Sequence, residues 1–380
     1  MQLPLFDLPV SDPAPERPAP LADRPALLAD LLDVQQIYLE PDLEARFPRA
    51  RAILARFPGV ERIEVPSHWN IPGLHGNEGS AEQWMQIKRS TLVLGTKKSL
   101  SADRNDRSSD FTAPSHASGC ALGCAYCYVP RRKGFANPIS TFVNIEQIAG
   151  YIERHAKRQG LKTTPTTADP DLWVYEIGNT SDCSVDALIS DNVHDLIAMA
   201  RHMPNAKLTF ATKYVNRGLL AYDPQKKTRI RFSLMPQTVS RLVDVRTSKI
   251  ADRIAAINDF DAAGYEVNVN FAPVIHYPGW QADWAALFDQ VDAALSPRVK
   301  ANLFAEIIFL THNDRLHDVN LMWHPKAEAL LWQPDLQETK YSQTGGRNLR
   351  YRRTLKSGWV AEMVALMSAH MPYCRVRYAF

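Results

Sequence analysis

Between Leu172 and Phe309 the chain reads LWVYEI (172–177), LTFAT (208–212), IRFSL (230–234), VNVNF (267–271) and LFAEIIF (303–309), short runs rich in β-branched and aromatic residues. The stretches between them carry apolar residues at helical spacing: Val185, Leu188, Ile189, Val193 and Leu196, then Ile250, Ile254, Ile257 and Phe260, then Trp284, Leu287, Phe288, Val291 and Leu295. The second of these helices reads as capped by Ser248 and stopped at Gly264. An earlier helix, with Ile145, Ile148 and Ile152 on one face, closes on Lys157, Arg158 and Gly160. Strand then helix, repeated, calls for parallel pairing with helical crossovers. These five strands, with a sixth expected near Phe111, predict an α/β fold built on an open partial (βα)6 barrel. Patterning alone does not separate that barrel from a doubly wound sheet, and the barrel fits better.

Working outward, residues 1–30 alternate Pro13, Pro15, Pro18, Pro20 and Pro25 with Ala, Asp, Glu and Arg. That composition buries too little surface to offset its ordering entropy, and a disordered tail is expected. Ile37–Leu39, Val60–Val65 and Thr91–Gly95 read as strands, Ala45–Phe57 as a helix, and residues 66–90 as loop. The expected organisation is a small N-terminal α/β region over 31–110, the barrel over 111–310, and a C-terminal extension over 311–380.

Composition narrows the class. At 380 residues, with 45% hydrophobic and 22% charged, the chain is ordinary for a globular protein. No run approaches the roughly 20 apolar residues of a membrane span. The opening MQLPLFDLPVSDPAPE has neither the basic lead nor the apolar core of a secretory signal, so a cytoplasmic location is expected. A net charge of +3 names no partner. Five cysteines exclude a disulfide scaffold; three fall within eight residues, while Cys183 and Cys374 stand alone.

The three close cysteines lie in SGCALGCAYCY (118–128), spaced C-x3-C-x2-C: Cys120, Cys124 and Cys127. A tight loop can aim three thiolates at one centre. Structural zinc sites take a fourth Cys or His, commonly from a second pair, and no second pair is present. Three thiolates suit a [4Fe-4S] cluster with one iron left open to a ligand. The alternative is a zinc-binding or merely buried cysteine group.

With an aromatic residue beside the third cysteine, the loop resembles that of the radical S-adenosylmethionine superfamily. The resemblance implies that the open iron chelates S-adenosyl-L-methionine and that an electron from the cluster splits it to a 5′-deoxyadenosyl radical. From Ile37 to about Arg353 the chain further resembles the spore photoproduct lyase family, in IYLEP at Ile37, STLVLGTKKSL at Ser90, GCALGCAYCY at Gly119, TFVNIEQI at Thr141, NTSD at Asn179, LTFATKY at Leu208, TRIRFS at Thr228, AGYEVNVNFAPV at Ala263 and FDQVDAAL at Phe288. Members revert a thymine–thymine lesion in DNA by radical cleavage of a carbon–carbon link. Carried over, the resemblance implies cluster ligation by Cys120, Cys124 and Cys127, a hydrogen-relay role for Tyr126 or Tyr128, and cofactor or lesion contacts from Ser181, Asp182, Lys213, Ser233 and Ala272. Each of those contacts falls at or just past the C-terminal end of a predicted strand, where such barrels gather their sites. Lys213 can pair with the cofactor carboxylate and Ser233 can hydrogen-bond it.

One departure bears on the reaction. The family carries a hydrogen-donating cysteine directly before TSD, and here that position is Asn179. An amide N–H is too strong a bond to replace a thiol, and Cys183, four residues on, is the candidate substitute. Cys374, in CRVRYAF, reads as core.

Two features suggest partners. KYSQTGGRNLRYRRTLK (340–356) sets Lys340, Arg347, Arg350, Arg352, Arg353 and Lys356 among tyrosines and a Gly-Gly pair, suiting a hairpin arm on DNA phosphates. Gln2, Leu3, Leu5 and Phe6 resemble the QLxLF peptide that binds the bacterial sliding clamp. The resemblance also implies an electron donor of the flavodoxin or ferredoxin kind. Competing readings are a radical enzyme of the same fold acting on another nucleic-acid lesion or modified nucleotide, and an iron–sulfur DNA-binding module without radical chemistry.

Overall fold

The computed structural model describes residues 31–129, 134–341 and 346–380. The tail, with Gln2, Leu3, Leu5 and Phe6, lies outside the described residues. No helix among the described residues is long and apolar enough to cross a membrane.

The first sheet contains β1 (Gln36–Leu39), β2 (Glu61–Glu64) and β3 (Thr91–Gly95). The next strands in the chain are β4 (Asp103–Arg104), β5 (Phe111–Thr112), β6 (Ala117–Ser118) and β7 (Ile139–Phe142). The order of the first sheet is β2-β1-β3-β7-β6, parallel except for β6 against β7. Its apolar face, with Ile37, Leu92 and Leu94, shares one core with Ala121 and Leu122 of the cysteine loop and with Val185, Leu188 and Ile189. The sheet therefore backs the loop that carries the cysteines.

The barrel wall continues through β8 (Trp173–Glu176), β9 (Ala206–Thr212), β10 (Thr228–Leu234), β11 (Glu266–Val274) and β12 (Phe304–Phe309). After β13 (Thr311–His312), β14 (Gln337–Tyr341) and β15 (Arg347–Tyr351), the chain returns as β16 (Arg375–Ala379). The large sheet runs β16-β12-β11-β10-β9-β8-β5-β4, parallel throughout except for β4 against β5. The open barrel is thus present, with eight strands rather than six: the short β4 extends one edge and β16 the other. Cys374, just before β16, is buried in the core as expected. The third sheet, β13-β15-β14, is antiparallel.

Strand β10 shows how the barrel wall is built. Ile230, Phe232 and Leu234 join the core shared with the helices, while Arg229, Arg231 and Ser233 alternate with them and face the barrel interior. There Arg229 and Lys207 meet Glu266, and one layer higher Arg231 bridges Glu176 and Glu306. Each apolar side chain buried on the outer face contributes about 1.5–3 kcal/mol. Inside, charges are matched layer by layer up to the end where Ser233 opens onto a cavity.

Several local expectations are corrected. The helix expected over 45–57 is two, Leu43–Arg46 and Pro48–Leu54, because Pro48 forces Phe47 into an extended conformation. The expected loop at 66–90 ends in a helix, Ala81–Ser90, started by a capping box between Ser80 and Gln83. The single helix through Val185 and Leu196 is two, Cys183–Ile189 and Asn192–Arg201, broken at extended Ser190. Ser248 does not cap Ile250–Ala262; Lys249 holds that position, and the Ser248 hydroxyl accepts from the Val215 amide at 2.9 Å. Gly264, with φ +94°, ends that helix as expected.

Candidate active site

The cysteine loop leaves β6 through Gly119, whose φ is +95° and where any Cβ would strike the Pro138 carbonyl oxygen. From there the loop is pinned residue by residue. The Gly119 amide donates to the Thr180 carbonyl at 2.9 Å, Gly123 to Val245 at 3.0 Å, and Ala125 to Val243 at 2.9 Å. Side chains hold its carbonyls: Lys88 Nζ donates to Cys120 at 2.6 Å, Arg246 Nη1 to Ala121 at 3.0 Å, and Asn320 Nδ2 to Ala125 at 2.7 Å. Burial pushes the Cys120 and Cys124 thiols well above the usual range.

Cys120, Cys124 and Cys127 line a cavity of about 200 Å³ together with Tyr126, Tyr128, Asn179, Ser181, Asp182, Lys213 and Ser233. Residues from one loop and three strand ends, widely separated in sequence, thus meet in one place. Asp182 organises much of it. It caps Cys183–Ile189 by accepting from the Ser184 amide at 3.0 Å, and it accepts from the Thr212 hydroxyl at 2.8 Å and the Lys213 amide at 3.0 Å. Burial raises its pKa to about 6 even against those hydrogen bonds. The Ser181 hydroxyl donates to Asp186 at 2.6 Å. Lys213 Nζ lies 5.2 Å over the Tyr126 ring and donates to the Ala272 carbonyl at 3.2 Å, so Ala272 joins the site through that contact rather than by lining the cavity.

The two tyrosines differ. Tyr126 donates its hydroxyl to Asp244 beneath the loop, and burial raises its pKa. Tyr128 is 54% exposed, and its hydroxyl donates to the Asn179 carbonyl at 2.7 Å. Cys183 does not line the cavity: it is fully buried at the start of its helix, behind Gly178 of the lining, and grouped with His116 and Asp186. A Cβ on Gly178 would come 3.1 Å from its sulfur, so Gly178 covers it.

The six basic residues of 340–356 separate into kinds. Lys340 pairs with Glu338 at 3.1 Å and Arg347 with Asp314 at 3.0 Å, each on a strand of the β14–β15 hairpin. Arg352 turns back to the Gln337 carbonyl, and Arg353 begins the helix Arg353–His370. Arg350 and Lys356 gather over the Phe380 ring with Arg107, which the sequence reading missed. Also missed were Lys88, Asn320, Asp244 and Arg253. Arg253, fully buried, donates to the Ser233 carbonyl at 2.7 Å and to Asp244 at 3.0 Å. A capping box marked the helix that carries Lys88; nothing local marks the others.

A parallel half-barrel whose strand ends face a C-x3-C-x2-C loop defines the class of radical S-adenosylmethionine enzymes. The family profile described as spore photoproduct lyase matches residues 32–380. A spore photoproduct lyase of Bacillus subtilis (strain 168) is 30% identical over 281 residues, covering 72% of this chain and 77% of its own. That of Geobacillus sp. (strain Y412MC61) is 26% identical over 314 residues, covering 82% and 87%. Among solved structures, a spore photoproduct lyase mutant with bound AdoMet and dinucleoside spore photoproduct shares the fold at TM-score 0.81 and 22% identity, over 92% of this chain and 99% of that one. A spore photoproduct lyase complexed with dinucleoside spore photoproduct shares it at TM-score 0.81 and 24% identity, over 91% and 99%. The chain belongs to the spore photoproduct lyase family. It is a radical S-adenosylmethionine lyase of the kind that repairs the DNA spore photoproduct.

Proposed function

We propose that Cys120, Cys124 and Cys127 hold a [4Fe-4S] cluster and that S-adenosyl-L-methionine and the lesion occupy the cavity beside it. The observation that carries this reading is the convergence of the three cysteines with Ser181, Asp182, Lys213 and Ser233 on one cavity. The donor set fits the group. Among the described residues that line the cavity there is no fourth Cys and no His, which a structural zinc site would take. Three thiols alone suit a larger cluster with one corner left without a protein ligand.

When bound, cluster and cofactor together supply the 5′-deoxyadenosyl radical that starts the reaction. The chain's own residues position and shield. Asp182 locks the TSD turn to β9, setting Ser181 at the cavity and Lys213 where its ammonium can meet a cofactor carboxylate. Arg253 and Asp244 hold the Ser233 carbonyl and Tyr126 in place. Hydrogen abstraction from the lesion and scission of its carbon–carbon link leave a product radical that must regain one hydrogen atom. With Asn179 at the family's cysteine position, Tyr128 is the group that both lines the cavity and touches Asn179, and burial sets Cys183 apart from it.

The β14–β15 hairpin with Lys340, Arg347 and Arg350, the helix start behind it with Arg352, Arg353 and Lys356, and Arg107 meet DNA phosphates in this reading. The electron comes from a donor of the flavodoxin or ferredoxin kind. The test is anaerobic reconstitution, reduction, and mass spectrometry of products from DNA irradiated to form the spore photoproduct. Restored thymine with formation of 5′-deoxyadenosine is expected. In Cys124→Ala both should vanish together with the cluster's visible absorbance, and retained iron at wild-type level would refute the ligand assignment.

A further inference from the structure

Helix Ala81–Ser90 ends in two cations, Lys88 and Arg89, a usual choice for the negative end of a helix dipole. They part company at once. Arg89 is exposed, whereas Lys88 turns inward and is only 3% exposed. Its Nζ donates to the Cys120 carbonyl at 2.6 Å, and no carboxylate among the described residues lies within ion-pair distance of it. An ammonium taken out of water without a counter-charge costs several kcal/mol, so such a lysine is rarely left this way. The residue its ammonium touches is Cys120, the first of the three loop cysteines.

We propose that Lys88 is a positioning residue for the iron–sulfur cluster: its buried ammonium is the counter-charge of the cluster carried by Cys120, Cys124 and Cys127, and it stabilises the reduced form. This rests on the cluster reading given above. Three thiolates around such a cluster leave it anionic, and reduction adds one more negative charge. A fixed cation favours that added charge more in a dry setting than the same cation would in water. Through the Cys120 carbonyl the same side chain also anchors the start of the loop. Lys88 acts on the ease of reduction and touches no substrate.

Lys88→Gln keeps a donor for the Cys120 carbonyl and removes the charge; Lys88→Met removes both; Lys88→Arg keeps the charge. The variants are reconstituted anaerobically, their iron and sulfide are measured, and the cluster potential is titrated by electron paramagnetic resonance. Lys88→Gln and Lys88→Met should both lose about tenfold in preference for the reduced state, about 59 mV for one electron. Lys88→Arg should stay near wild type. In the cluster-free protein Lys88→Met should melt at or above wild type, because an uncompensated charge has been removed. A wild-type potential in fully loaded Lys88→Gln would overturn the proposal. So would a lower melting temperature of cluster-free Lys88→Met combined with an unchanged potential, which is the signature of a clamp alone. Failure of the wild-type protein itself to load iron and sulfide would refute the cluster reading instead.

Discussion

Tyr128 and Cys183 sit close in the site's chemistry and apart in its geometry. Tyr128 donates to Asn179 on the cavity wall; Cys183 is buried behind Gly178. Tyr128→Phe should therefore leave formation of 5′-deoxyadenosine intact while diverting most lesion-derived product to adducts, as read by mass spectrometry on a short oligonucleotide. Cys183→Ala should keep the wild-type product pattern; diversion in Cys183→Ala with a normal pattern in Tyr128→Phe would reverse the assignment. The three close cysteines and the TSD turn were legible in the sequence because each is a local pattern of a few residues. Asp244, Arg253 and Lys88 were not. Their meaning comes from partners 118 residues away for Asp244 with Tyr126, 20 for Arg253 with Ser233, and 32 for Lys88 with Cys120. An arginine in a helical stretch carries no local mark of being fully buried.

Strand β10 extends that point to a segment. TRIRFS was readable as a strand, yet its alternation also says which side chains enter the barrel. Arg231, between Glu176 and Glu306, has an exposure of only 4% at its side chain. Arg231→Met should cost about 3–5 kcal/mol in denaturant unfolding, because two buried carboxylates lose their shared partner. Arg217→Ala provides the contrast: its pair with Asp259 is 58% and 48% exposed, and its removal should change stability by less than about 1 kcal/mol. Helix limits were read less well for identifiable reasons. Pro48 and Ser190 interrupt apolar patterns that continue in register across the breaks, so periodicity alone joins what the backbone divides. The start of Ala81–Ser90 had a signal in Ser80 and Gln83, hidden by the surrounding Gly, Asn and His. The Ser248 cap failed because its hydroxyl is engaged by Val215, a contact between segments.

The matched charges inside the barrel also give the protein a pH limit. Burial pushes the Glu266 carboxyl up, but Arg229 and Lys207 overcome it and hold it down at about 2, against an ordinary value of 4.5. A carboxylate held low in the folded state contributes its stability in full above the ordinary value, and that stability is lost as pH falls toward the folded value. Cluster-free protein should therefore lose stability between about pH 4.5 and pH 2 in denaturant titrations, and Glu266→Gln should flatten that part of the profile while lowering stability at neutral pH. The sequence indicated the barrel but not its eighth strand's place, since nothing in CRVRYAF says which edge it joins. That place has a mechanical side. β12 and β16 are neighbours in the wall, and everything from β13 through Arg353–His370 is spliced between them. The basic arm thus stands on two feet set in adjoining staves. A load applied by a nucleic-acid strand would pass down both, so the arm would resist swinging and would keep a constant reach to the cavity rim, as two legs hold a lens better than a single post.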